Sequence, residues 1–297
     1  MKIRICSDLH VDINKDSNFG FRIKPDYDAL LIAGDIAGDY SKEYKFLNSL
    51  YNSIKLPIYV IAGNHLGYDY SKTENIFLRM YDPKSNIIGT KQAVKALDEK
   101  EQARILLVSD SHHNYKALEN IVLNYGKDCD AMIHSGDGIS DLELLVRLSK
   151  SNLNLKKALP PVIAFVRGNC DPSDCSFPGK RFIQTPQNQI LKVCGSDILI
   201  VHGHNQGVNF TLEKLGLEAK ILNCKAAIYG HTHVASQVIA DKIYLINPGS
   251  CSLPRGGQKP GFAILTVGKD FMDTAFLQKS DEGNPFSDFK IYTPPMA

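Results

Sequence analysis

The sequence predicts an α/β fold with largely parallel sheets, and three observations carry that expectation. Short, nearly unbroken apolar runs alternate with helical patterns, as for strands buried on both faces. One series of motifs occurs twice at constant spacing. Metal-ligand residue types stand at the C-terminal ends of the apolar runs, where the loops of a parallel α/β sheet carry function.

In chain order, residues 3–6 form the first predicted strand and lead into Asp8 and His10. A second run ends in Gly34-Asp35, and a third ends in Gly63-Asn64-His65. Ser41 is placed to cap a helix carrying Tyr44, Phe46, Leu47 and Leu50. Residues 71–80 read as helix, 82–90 as a turn with a short apolar piece, and 91–102 as a charged helical connector. The series then restarts. Leu106-Leu-Val-Ser-Asp110-Ser-His112 answers the first strand, a run ending in Gly136-Asp137 the second, and one ending in Gly168-Asn169 the third. Asn114 is placed to cap a helix with Ala117, Leu118, Ile121 and Val122, and Ser140 or Asp141 to cap residues 142–148. Asp8 to Asp35 is 27 positions, as is Asp110 to Asp137; the next step is 29 in the first copy and 32 in the second. Only the second copy continues, through His202-Gly-His204 and Gly230-His231-Thr-His233. The expected organisation is a half-domain over residues 1–95, a linker over 96–102 and a complete domain over 103–297.

Composition narrows the function classes. At 297 residues and 43% hydrophobic, the chain can bury one large core or two ordinary ones. A net charge of +2 gives no specific nucleic-acid signal. No apolar run approaches the ~18 residues of a membrane span, and no signal-peptide pattern opens the chain, so a cytoplasmic protein without membrane association is expected. The seven cysteines include no CxxC pair and read as reduced core residues.

The second copy supplies Asp110, His112, Asp137, Asn169, His202, His231 and His233. Mixed imidazole and carboxylate donors suit Mn, Fe, Zn or Ni more than Ca or Mg. Seven donors exceed one tetrahedral ion and suit two divalent ions ~3.5–4 Å apart, sharing a carboxylate.

Asp-x-His, Gly-Asp, Gly-Asn, His-Gly and Gly-His-x-His, in this order, resemble the calcineurin-like metallophosphoesterases. Gly168-Asn-Cys-Asp171, His202-Gly-His204, Ile246-Asn-Pro-Gly-Ser250 and Leu253-Pro-Arg-Gly-Gly257 resemble the bacterial YfcE-type phosphodiesterases over residues ~103–270. Residues ~1–90 resemble the opening half of another branch. The resemblance implies a four-layer αββα sandwich of two mixed sheets, preceded by a truncated βαβαβ half-domain. It implies one metal on Asp110, His112, Asp137 and His233, and a second on Asp137, Asn169, His202 and His231. The implied reaction is in-line attack by a hydroxide between the metals on a small-molecule phosphodiester, with Mn the foremost metal and Ni, Fe, Zn or Mg alternatives. Cys170 stands where many relatives carry a proton-donating histidine, which favours diesters with good leaving groups. The alternatives are a phosphomonoesterase and a non-catalytic scaffold like the retromer subunit that shares this fold.

His204 is a candidate neighbour of the metals or the substrate, as is Cys170. Arg255 reads as a solvated loop residue, and His113 and His134 have no motif role. Asp8, His10, Asp35, Asn64 and His65 read as inherited, largely inert residues, because no later histidines complete them. The half-domain should leave one sheet face needing cover, either by the complete domain or in a homo-oligomer.

Overall fold

The computed structural model describes residues 2–11, 13, 26–38, 40–54, 56–61, 79–81, 87–177, 180–280 and 289–294. It divides into two compact units, Met1–Ser85 and Asn86–Ala297.

The first unit contains β1 (Ile3–Cys6), β2 (Ala29–Ala33), α1 (Tyr40–Ile54), β3 (Ile58–Ile61) and β4 (Arg79–Tyr81). The sheet order is β1-β2-β3-β4; the first three strands are parallel and β4 is antiparallel to β3. Alternation along the strands puts Leu30, Ile32, Ile58 and Val60 against Leu47, Leu50 and Ile54 of α1. Each such burial contributes about 1.5–3 kcal/mol. On the opposite face, Ile3 and Ile5 are 47% and 68% exposed. The helix begins at Tyr40, so Ser41 lies inside its first turn rather than at its cap. Of the helix expected over 71–80, the described end is strand β4; residues 71–78, like Asn64 and His65, lie outside the described residues.

The second unit opens with α2 (Lys91–Glu99), capped by Thr90, whose hydroxyl accepts from the Ala93 amide. Val94 and Leu97 of α2 are buried in this unit's core, so the helical part of the expected connector is built into the second unit. There follow β5 (Gln102–Val108), α3 (Tyr115–Tyr125), β6 (Ala131–His134), α4 (Ile139–Leu148), α5 (Leu153–Ala158) and β7 (Val162–Phe165). Then come β8 (Asp174–Phe177), β9 (Lys180–Gln184), β10 (Asn188–Val193), β11 (Ser196–Val201), α6 (Glu213–Ile221) and β12 (Ala226–Ile228). The last strands are β13 (Ser236–Ala240), β14 (Ile243–Asn247), β15 (Gly261–Gly268), β16 (Met272–Lys279) and β17 (Phe289–Tyr292).

One sheet has the order β17-β16-β15-β5-β6-β7, with β5, β6 and β7 parallel and the other three joined antiparallel. The other has the order β10-β11-β12-β14-β13, with its three central strands parallel and both edges antiparallel. The period of two explains the layers. Ile105 and Leu107 of β5 meet Ile198 and Ile200 of β11 between the sheets. Leu106 and Val108 point the other way, onto Leu118, Ile121 and Val122 of α3. Leu199 and Val201 leave the second sheet toward Leu215 and Ala219 of α6. The result is the expected αββα sandwich of two mixed sheets, with the β5, β6 and β7 ends feeding one set of loops. Among the described residues, no helix is long and apolar enough to cross a membrane.

Candidate metal centre

Asp110 and His112 follow β5, Asp137 follows β6, and Asn169 follows β7. His202 follows β11, and His231 and His233 follow β12. The loops bring five of these side chains to one point. Ligand atoms of Asp110, His112 and His233 lie within 4.8 Å of one another, and so do those of Asp110, Asp137 and His202. Asp137 Oδ2 is 3.4 Å from His202 Nε2 and 3.7 Å from His112 Nε2, so it stands between the two groups. Asn169 Oδ1 is 3.1 Å from His202 Nε2. His231 belongs to neither group of convergent atoms. Its ring lies 5.1 Å from that of His202, and its Nε2 is 3.0 Å from Asn209 Nδ2.

The backbone at this mouth is strained. Asp110, His112, Asp137, His231 and His233 all have positive φ, between 44° and 69°. Such values in non-glycine residues persist only when the surroundings over-determine them. Asp171 supplies part of that constraint: its carboxylate accepts from the amides of Asp137, Gly138, Ile139 and Gly168 at 2.6–2.9 Å. It thus does the capping expected of Ser140 or Asp141. The helix starts at Ile139 with Gly138 at its cap, and Asp141 instead accepts from Ser111 Oγ. Asn114 caps α3 as expected.

Two motif glycines have steric reasons. A Cβ on Gly168 would collide with the Asp137 carboxylate, and one on Gly230 with Ser109 Oγ and Asp110 Oδ2. Asn247 holds the Gly230–Thr232 turn by donating to Gly230 O and Thr232 Oγ1. Ser250 and Ser252 tie the Asp110 loop by donating to its carbonyl.

The donor chemistry fits divalent cations. His233 Nδ1 faces the Leu253 carbonyl at 2.6 Å, and His202 Nδ1 faces the Ser135 carbonyl at 2.8 Å. A ring nitrogen facing a carbonyl carries the proton, so each neutral ring turns its Nε2 lone pair into the site. Asp110 is fully buried, and its Oδ1 has no hydrogen-bond donor although His233 Nε2 is 3.3 Å away. His112 Nε2 and His233 Nε2 are 3.0 Å apart, close enough to ligate one cation together. Electrostatics agree. Burial alone would raise the Asp137 carboxyl, but His202 and the Cys170 amide outweigh it and hold the carboxylate far below its ordinary range. The Asp110 carboxylate beside its Nε2 raises His233 despite burial, so the site attracts positive charge.

His204 lies in this neighbourhood, its ring 5.4 Å from that of His202. Burial, helped by His202 and His231, lowers it to about 4, so it is neutral at pH 7. Cys170 is exposed, and burial of its sulfur with the adjacent Asp137 raises the thiol, which stays protonated. Arg255 donates its amide to the His233 carbonyl. His134, read as an ordinary strand residue, is fully buried under the loops, where Nδ1 accepts from the Gly136 amide. In the sequence Asp171 reads only as part of the Gly168–Asp171 motif and His134 as a residue without a motif role, because the partners that define their roles are brought near only by folding.

Residues 103–270 match the model of the calcineurin-like phosphoesterase superfamily domain, which is more than half of the chain. The chain belongs to the calcineurin-like phosphoesterase superfamily. Residues 1–92 separately match the calcineurin-like phosphoesterase model, so both copies of the motif series carry the superfamily's pattern. The chain is 34% identical to the "Probable metallophosphoesterase YsnB" of Bacillus subtilis (strain 168) over 188 residues, 63% of this chain and 96% of that protein. It is 32% identical to "Phosphodiesterase YfcE" of Escherichia coli (strain K12) over 111 residues, 37% of this chain and 55% of that protein. The structure of Vacuolar Protein Sorting 29 from Cryptosporidium parvum superposes with a TM-score of 0.50 at 15% identity, covering 65% of this chain and 97% of that one. That likeness is one of fold. Superfamily membership and the overlapping Asp/His clusters are together compatible with a dinuclear centre of the kind used in metal-dependent phosphoester hydrolysis.

Proposed function

We propose that the chain is a divalent-metal-dependent phosphodiesterase of the YfcE type. The carrying observation is the position of Asp137, whose carboxylate lies between His112 and His202 and next to Asp110. In this reading Asp110, His112, Asp137 and His233 hold one ion. Asp137, Asn169, His202 and His231 hold the other, with Mn the first candidate. His231 must release Asn209 to serve. When bound, the ion pair supplies the charge that activates water and neutralises phosphate oxygens.

The chain's own residues do the rest. The Ser135 and Leu253 carbonyls fix the tautomers of His202 and His233. Asp171 fixes the loop that presents Asp137. Cys170 stands beside Asp137 with a raised thiol, a poor proton donor to a leaving oxygen. That disfavours monoesters with basic leaving groups and favours diesters and aryl esters. The 32% identity over 111 residues to a protein named a phosphodiesterase supports the same reading.

The test is hydrolysis of bis-(4-nitrophenyl) phosphate against 4-nitrophenyl phosphate with Mn²⁺ added to chelator-treated protein. Faster turnover of the diester, lost on chelation, is expected. Preference for the monoester would replace the diesterase reading with a monoesterase. Bound metal without turnover of either ester would favour a scaffold.

A further inference from the structure

We propose that Phe210 and Leu253 form an apolar rim to the metal centre and hold the aromatic group of a phosphoester whose phosphate lies on the ions. Such a rim presupposes the phosphoesterase reading of the centre and adds to it the chemistry of the ester group. Phe210 is 92% exposed, the most exposed large apolar side chain among the described residues, and Leu253 is 54% exposed. Single exposed apolar residues are ordinary on a protein surface. These two differ in their position. Phe210 follows Asn209, whose Nδ2 is 3.0 Å from His231 Nε2. Leu253 offers its carbonyl to His233 Nδ1 at 2.6 Å. One exposed apolar residue is therefore set beside each histidine of the turn over residues 230–233.

Both side chains stand on hydrogen-bonded backbone. Gly203 and Gly207, with φ of 110° and 70°, turn the chain after His202. Val208 is buried in the cluster that contains Leu215 and Ala219 of α6. Gln206 Nε2 donates to Glu218 of α6 at 2.9 Å, and the Phe210 amide donates to the Gly207 carbonyl at 3.0 Å. None of these ties involves His231, so they outlast the exchange of Asn209 for a metal. The Leu253 amide donates to Ser250 Oγ, which in turn donates to the Asp110 carbonyl. A rim fixed before binding loses little freedom when a ligand arrives.

The ions meet phosphate oxygens, which are alike in every ester, so they do not discriminate between ester groups. A ring laid against Phe210 in an offset or edge-on contact gains about 3–10-fold in affinity. Leu253 removes further apolar surface of the same ring from water. A methyl ester offers little surface to either side chain. The rim therefore selects phosphoesters with an aromatic group over those with a small alkyl group.

The test measures binding instead of turnover. Full-length protein, stripped with chelator and reloaded with Mn²⁺, is titrated calorimetrically with phenylphosphonate and with methylphosphonate, which share one head group and have no ester bond to cleave. Wild type should bind the phenyl compound about 3–10-fold tighter. Phe210→Ala should cut that preference below about twofold, and Leu253→Ala should narrow it by less. Phe271→Ala, which removes another exposed phenylalanine in the turn between β15 and β16, should keep it. The chain has no tryptophan, so Phe210→Trp introduces a single indole. Its emission should be quenched saturably by 4-nitrophenylphosphonate and little changed by methylphosphonate. Equal affinities in wild type, a preference unchanged in Phe210→Ala or Leu253→Ala, or an indole blind to the nitrophenyl compound would overturn the proposal. Methylphosphonate scores the centre separately. If the Mn²⁺ protein binds it, the phosphoesterase reading stands whatever the rim does; if the protein binds neither phosphonate, both fall.

Discussion

The loops after β1 and β2 and the loops after β5 and β6 carry the same short motifs in the same backbone conformation, yet they make different environments. Asp110 is fully buried and Asp137 nearly so, whereas Asp8 is exposed. The motif residues do not cause that difference. It comes from elements far along the chain: Asp171 under the Asp137 loop, Ser250 and Ser252 on the Asp110 carbonyl, and His202 and His233 completing the clusters. A strand-end motif can set left-handed φ and aim a carboxylate. Burial, and with it strong electrostatics, needs the second sheet.

The comparison can be broken most sharply at Asp137. Asp137→Asn keeps the shape but weakens the carboxylate that stands between His112 and His202 and is proposed to serve both ions. The kcat/KM for an aryl phosphodiester should fall at least about 10³-fold, about 4 kcal/mol of transition-state stabilisation. Retention of a tenth of the activity would mean that the carboxylate is not shared. Next comes Asp171→Ala, which leaves four amides without their acceptor. A loss of about 3 kcal/mol or more is expected in urea unfolding, with weaker Mn²⁺ binding, because orphaned buried donors cost about 1–3 kcal/mol each. An unchanged midpoint would show that the strained loop holds itself.

Paired core truncations compare the units directly. Ile133 between the sheets and Ile32 against α1 are both fully buried. Ile133→Ala and Ile32→Ala should each cost about 2–5 kcal/mol. Tryptic digestion should open the unit that carries the change first; identical fragments from both variants would show that the units unfold as one.

The smallest effect is expected on the surface of α3. Burial would raise the Glu119 carboxyl, but Lys116 and Tyr115 bind it and lower it below its ordinary value. A lowered folded-state value means that the contribution is present above the unfolded value and fades as pH falls through the folded one. Glu119→Gln should therefore cost about 0.2–0.5 kcal/mol at pH 7. In acid, with the carboxyl protonated, wild type and variant should converge. A cost that stays constant with pH would assign the effect to packing.

Much of the centre was legible in order along the chain. Apolar runs ending in Asp, Asn and His predicted strand-end loops, and the equal 27-residue steps predicted a repeated unit. Both hold in the sheet order, and Asn114 caps α3 as its position suggested. Ser41 missed its cap because the helix starts one residue before it, at Tyr40, and the α4 cap was misread for a physical reason. Local side chains were assumed to satisfy the first amides of α4, but the Asp171 carboxylate reaches them across 32 or more positions. The helix expected to end at Met80 gives way to an edge strand there, because pairing with β3 takes up the backbone of residues 79–81. The connector's apolar stripe, Val94 and Leu97, was visible in the sequence, but its destination was not.

The sequence by itself determined the α/β class, the repeat and the donor types, since these follow from local periodicity and from residues adjacent to strand ends. Only the tertiary structure decided which donors converge. It buried Asp110, set Asp137 between two histidines, and fixed the tautomers of His202 and His233 through distant carbonyls. Those outcomes depend on strands paired across long separations, and no local pattern encodes the distance between two loops.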